Sequence, residues 1–184
     1  MDKDLIINAI NNEFPEIIKD VSEPFGLLTL EISAHDLKGL VLFLKENDQT
    51  NFVFLTDITA VHYPNKAERE FAVVYHLHNW EANFRLRLKV FVGRENLDVP
   101  SLNDIYSAAN WMERETFDFF GIQFTGHPNL KRILNMEDLN YFPMRKEYPM
   151  EDGTRTDKDD RFFGRDGHEG VTFDNKKALA KNNG

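Results

Sequence analysis

The stretch Phe84-Arg85-Leu86-Arg87-Leu88-Lys89-Val90-Phe91-Val92 decides the fold class. Phe84, Leu86, Leu88, Val90 and Val92 recur at every second position, and Arg85, Arg87 and Lys89 fill the places between them. An extended strand separates two such sets onto opposite faces; a helix mixes them. A strand with one apolar and one charged face belongs to a sheet covered on one side, and such sheets are usually antiparallel.

Working outward, Phe71, Val73, Tyr75 and Leu77 alternate with Ala72, Val74, His76 and His78, which predicts a neighbouring strand. Phe52 to Ile58 is almost continuously apolar and suits a strand covered on both faces. Leu27 to Ile32 alternates as a further strand. Behind it, Ser33 and Asp36 form an imperfect capping box, and Leu37, Leu40, Val41 and Leu44 share one helical face. Leu5 to Ile18 carries helical spacing that Pro15 ends or kinks. Pro100-Ser101 is expected to open another helix, with Ser101 as N-cap, Asp104 at the capping-box position, and Leu102, Ile105, Ala109 and Met112 as its stripe. The fold class is therefore α+β: a mostly antiparallel or mixed sheet with helices packed on one face.

The chain has 184 residues, enough for one domain with a sizeable core. Its formal net charge of -9 argues against nucleic acid or an anionic membrane surface as the main partner. No stretch approaches the roughly 20 apolar residues that span a bilayer. Met1-Asp2-Lys3-Asp4-Leu5 lacks the layout of a signal peptide. The expectation is a cytoplasmic protein, attached to a membrane only through other proteins. The sequence contains no cysteine, which removes disulfides, thiolate-held clusters, thiolate zinc sites and cysteine nucleophiles. From Met144 to Gly170 charges crowd together, Pro143, Pro149, Gly153 and Gly164 interrupt regular structure, and Phe142, Tyr148, Phe162 and Phe163 stand as isolated aromatics. Residues 1–134 are thus expected to form the α+β domain, and residues 135–184 an extended tail. Composition alone fits a disordered tail equally well, while the dispersed aromatics suit an arm that orders on a partner.

The densest motif runs from Trp111 to Leu134. It contains Glu113-Arg114-Glu115, then Asp118, the aromatic pair Phe119-Phe120, Gly121-Ile122, Gly126-His127-Pro128, Leu130, the basic pair Lys131-Arg132 and Ile133-Leu134. Gly121 can stop a helix in the left-handed conformation, and Gly126-His127-Pro128 forces a turn. This pattern resembles the signature of the 30 kDa, or C, subunit of respiratory complex I, the NADH:quinone oxidoreductase. Pro143-Met144-Arg145-Lys146-Glu147-Tyr148-Pro149 resembles that family's second block, with Phe142 where the family often has histidine. The resemblance implies a non-catalytic subunit of an enzyme complex, on the cytoplasmic side of the inner membrane. It also implies a place in the peripheral arm, beside the large quinone-site (49 kDa or D) subunit, and a C-terminal extension over that neighbour. Flavin and iron–sulfur clusters would lie in partner subunits, and none in this chain. The equivalent subunit of a related membrane hydrogenase or ferredoxin-driven complex is a close alternative.

The residues expected at a partner interface are Glu113, Arg114, Glu115, Asp118, Phe120, Gly121, His127, Pro128, Leu130, Arg132, Pro143, Arg145, Lys146 and Tyr148. The carboxylates Glu113, Glu115 and Asp118 could serve in proton transfer, but a helix-end charge network that meets a neighbour or locks the helix–loop junction explains the same spacing. His76 and His78 point to one strand face and could ligate a metal, though spacing supplies no third ligand. A stand-alone metal-dependent hydrolase built on these histidines and Glu115 is the rival from another class. No catalytic, cofactor or metal residue is expected.

Overall fold

A computed structural model describes residues 2–148. Its main sheet contains β1 (Asp20–Ser22), β2 (Leu28–Ile32), β3 (Phe54–His62), β4 (Phe71–Asn79) and β5 (Phe84–Val92), in the order β1-β2-β5-β4-β3. β2 and β5 run parallel, and the other neighbours run antiparallel. A short parallel pair, β6 (Asp98–Pro100) with β7 (Gln123–Thr125), brackets the helix α3 (Ala109–Phe120). The remaining helices are α1 (Lys3–Glu13) and α2 (Leu37–Glu46).

The alternation in β5 sets the core. Leu86, Leu88 and Val90 are fully buried and stand opposite Leu77, Tyr75 and Val73 of β4. On their other side they face Leu28, Leu30 and Ile32 of β2. These rows join Ile6 and Ile10 of α1, the Leu37, Leu40, Val41 and Leu44 stripe of α2, and Ala109 and Phe120 of α3 in one cluster. Each fully buried aliphatic side chain contributes roughly 1.5–3 kcal/mol before entropy is counted. The helices therefore share one sheet face, as the one-sided strand pattern requires, and the fold is α+β.

Three local expectations change. β3 starts at Phe54, extends to His62 and alternates between buried and more exposed positions, because only one of its faces is covered. The strand buried on both sides is its neighbour β4, whose second face is shielded by Phe91, Lys89 and Arg87 standing opposite Ala72, Val74 and His76. Second, the helix expected from Ser101 begins only at Ala109. Ser101 does not cap a helix: its hydroxyl donates to Glu113 Oε2 (2.6 Å) and accepts the Asn103 N–H (3.1 Å), holding residues 101–106 in turns. Third, Ser33 donates to the Asp36 carboxylate rather than to the backbone of α2. α1 stops at Glu13, before Pro15 as expected.

Residues 126–147 return across the domain without helix or strand, and the compact unit runs to Glu147, past residue 134. Past that point only Tyr148 is described. Pro149, Gly153, Phe162, Phe163 and the rest of the expected tail lie outside the described residues. Among the described residues, no helix is long and apolar enough to cross a membrane.

The turn at 101–106 is tied to the far side of the core by Tyr106, whose hydroxyl donates to the Phe52 carbonyl (2.5 Å). Tyr106→Phe removes that donor and leaves a buried carbonyl unpaired. Chemical denaturation should show a loss of about 1–3 kcal/mol.

Candidate functional site

The last turn of α3 presents Asp118, a fully buried carboxylate. Its Oδ2 accepts the backbone N–H groups of Ile133 (3.1 Å), Leu134 (2.8 Å) and Asn135 (2.9 Å). Its Oδ1 accepts Arg132 Nη1 (2.7 Å) and Asn135 Nδ2 (3.0 Å). Burial alone would push this carboxyl up, but the backbone donors and the Arg132 guanidinium outweigh it and hold the group well below the usual carboxylate range. Arg132 also donates to the Leu139 and Tyr141 carbonyls, at 2.7 and 2.9 Å. One ion pair thus fastens residues 132–141 to the end of α3.

Glu113, one and a half turns earlier, is equally buried but has only two donors, Ser101 Oγ and the Leu102 N–H (2.6 Å each). Burial pushes its carboxyl up to about 7, and those two donors offset this only in part. Arg114 donates to the Lys131 and Arg132 carbonyls (3.1 Å each), so it binds the same returning segment from the other side. His127 is a turn residue: Nε2 meets the Asn110 carbonyl (3.1 Å) and Nδ1 accepts the Asn129 N–H (3.0 Å). With Nδ1 accepting, the proton sits on Nε2.

Gly121 caps α3 at φ +80°, as its position in the sequence predicts. A β-carbon there would lie 2.6 Å from both Arg145 and Phe142, so glycine also makes room for the returning chain. Arg145 Nε donates to the Phe120 carbonyl (2.7 Å), and its guanidinium lies over the rings of Phe142 and Phe71. Next to it the Lys146 N–H donates to His62 Nδ1 (2.9 Å), and His62 Nε2 faces Glu70 Oε1 (2.8 Å). Arg94 completes this group by bridging Glu70 (2.7 Å) and Glu147 (2.9 Å).

Of the expected interface residues, Glu113, Arg114, Asp118, Phe120 and Gly121 are buried with their polar partners in this chain. His127, Leu130, Arg132, Pro143 and Arg145 are half-buried along the returning segment. Glu115, Pro128, Lys146 and Tyr148 are exposed. His76 and His78 are engaged within the chain: His76 accepts from Arg87 (2.9 Å) and His78 stacks on Trp80. Among the described residues the acid–histidine group is instead His62, Glu70 and Glu147, with ligand atoms within 4.8 Å. Arg94 already supplies its cation. Since His62 Nδ1 accepts from Lys146, its Nε2 carries a proton toward Glu70 and is not free to ligate. Neither His62 nor Arg94 stands out in the sequence, because their partners arrive from distant segments.

Residues 30–154 match the family described as the respiratory-chain NADH dehydrogenase 30 kDa subunit. The chain belongs to this family. It is 46 % identical over 125 residues to the C subunit of the NADH-quinone oxidoreductase of Ruegeria pomeroyi, a span covering 68 % of this chain and 62 % of that protein. The corresponding Sinorhizobium medicae protein is 44 % identical over 126 residues, with the same shares. These matches span a little under two thirds of the relatives' length. Among solved structures, a trypsin-resistant fragment of Nqo5 aligns with a TM-score of 0.57 at 29 % identity, covering 70 % of this chain and 98 % of the fragment. A chain of the membrane-bound sulfane sulfur reductase, an archaeal respiratory membrane complex, aligns at 0.68 and 28 %, covering 80 % and 85 %. The motif that carries the 30 kDa family resemblance is the one that fastens the returning segment to α3.

Breaking the central ion pair should be costly. Asp118→Asn leaves Arg132 without its charge partner, and denaturation should show a loss of about 3–5 kcal/mol. Limited proteolysis should then cut between residues 132 and 141, where the wild type resists. Glu113 has the opposite pH signature. Folded Glu113 keeps its proton up to about pH 7, whereas the unfolded chain releases it near 4.5. Folding therefore takes up a proton between those values, and stability falls as pH rises through them. Glu113→Gln should flatten that slope in denaturation curves between pH 4.5 and 7. The contribution of Asp118 is lost instead as pH falls below about 3.8, the unfolded value.

Proposed function

We propose that this chain is a non-catalytic structural subunit in the peripheral arm of a proton-translocating NADH:quinone oxidoreductase. Its role is to help assemble and hold the large quinone-site subunit, on the cytoplasmic side of the inner membrane. The observation that carries this reading is the signature itself. Asp118, Glu113, Arg114 and Arg132 are spent holding this chain's own backbone, and none is poised in an open cleft for proton transfer. The same region leaves large apolar side chains exposed: Trp111 on α3, and Leu134, Met136 and Met144 on the returning segment. Such side chains among charged neighbours suit a protein interface. In this reading, exposed Glu115, Pro128 and Lys146 join that interface. Flavin, clusters and quinone chemistry belong, in this reading, to the partner subunits.

A second reading keeps the positional role and changes the donor. The likeness to a chain of the sulfane sulfur reductase complex, at a TM-score of 0.68, supports it. The equivalent subunit of a related membrane hydrogenase or ferredoxin-driven complex would have the same fold.

A tagged full-length chain, pulled down in mild detergent from its native membranes, tests both. Recovery of a large complex with flavin, clusters and NADH:quinone activity is the expected result. A complex that accepts electrons from ferredoxin or hydrogen but not from NADH would select the second reading. A lone soluble chain would overturn both.

A further inference from the structure

We propose that Phe25 is an anchor that inserts into an apolar pocket, rimmed by lysine or arginine, on a neighbouring protein subunit. The proposal rests on the subunit reading above and adds a contact far from the signature. Phe25 lies in the Pro24–Gly26 turn that joins β1 to β2, ahead of the family match, which begins at residue 30.

Two independent observations single it out. Its relative exposure is 108 %, against 60–70 % for Trp80, Trp111, Leu134 and Met136. Its backbone is left-handed, with φ +57° and ψ +33°, a conformation that glycine takes freely and a bulky L residue resists. Gly26 follows at φ +74°, so the permissive residue sits beside the strained one and not at it. The fold gains nothing visible from the ring: among the described residues, no aromatic ring or cation meets it. Strain of this kind at a fully exposed aromatic points to a function outside the folded domain.

The backbone of the turn is also held in place. Leu27 N–H donates to the Pro24 carbonyl (3.3 Å), Thr29 Oγ1 donates to the Leu27 carbonyl (3.0 Å), and Ser22 pairs with Thr29 in the β1–β2 ladder. Glu23 is tied to Lys3 of α1 (2.8 Å). Docking then has to order the ring's own torsions but not the backbone that presents it.

The surrounding charge selects the occupant. Lys3 pairs with Glu23 beside the turn and has Asp2 and Asp4 as its chain neighbours, so these four side chains leave net negative charge there. That field repels an anionic bilayer and attracts a pocket with a cationic rim. A protein subunit is therefore the partner, rather than a lipid surface.

The test uses the full-length tagged chain in its native membranes. A photoreactive benzoyl-phenylalanine placed at position 25 should cross-link to an identified second subunit of the complex. Phe25→Gly should melt about 2–4 °C above wild type, because the strain is relieved. The same variant and Phe25→Ala should recover the complex about tenfold less well, while Phe25→Tyr recovers it as wild type does. A gain in stability joined to a loss in assembly is an outcome that a merely structural residue does not produce. Cross-linking only to lipid, or only to a second copy of this chain, would overturn the proposal. Equal recovery by wild type, F25G and F25A would overturn it and leave the subunit reading standing. A wild-type chain that recovers no complex would overturn both.

Discussion

The fold beyond its sheet depends on one buried carboxylate. Asp118 collects five donors, from Arg132, from the side chain of Asn135 and from three successive backbone amides, at a point with no solvent access. A buried charge is tolerable only when its lone pairs are filled, so the segment that fills them has no freedom to leave. Arg132 in turn needs the carbonyls of Leu139 and Tyr141 for its remaining donors. The constraint passes along the chain to Gly121, Arg145 and His62, and thirteen residues past the expected end of the domain become part of it.

The contrast with Glu113 shows how the same helix produces two different acids. Both carboxylates are buried on α3, five residues apart. Desolvation acts on each, but five donors reverse it at Asp118 and two donors fail to do so at Glu113. Three backbone amides and the Arg132 guanidinium keep Asp118 charged, whereas one hydroxyl and one amide leave Glu113 to take up a proton near neutrality.

Much of this was legible from residue order, and the rest was not for physical reasons. β5 was readable because a strand covered on one side writes its burial into alternate positions, and β4 because Phe71, Val73, Tyr75 and Leu77 alternate with other side chains. The end of α1 was readable at Pro15, and the stop of α3 at Gly121. Residues 101–108 misled because Leu102, Ile105, Ala109 and Met112 keep helical spacing, while Glu113 diverts Ser101 and Leu102 into a turn. Phe52 to Ile58 misled because an apolar run does not reveal whether one face of a strand or both are covered. At the candidate site, spacing marked Asp118 and Glu113 but not their partners. Backbone amides have no residue-type signature, and the Lys146–His62 bond joins positions 84 apart. The role of Gly121 as a helix stop could be read, but its clearance for Phe142 and Arg145 could not.

The parallel pairing of β2 with β5 bears on how the chain reaches this state. Leu28 meets Leu86 across the sheet, so an early strand waits for one formed much later in synthesis. Until then β2 has only the three-residue β1 beside it, and its Leu28, Leu30 and Ile32 row lacks half its covering. At a translation rate of about 5–20 residues per second, that apolar strand edge stays open for several seconds. Long-range parallel pairing is also slow once all residues are present, because loop closure must precede the contacts that reward it. The N-terminal quarter of the protein is therefore the part most exposed to misassembly before the domain closes.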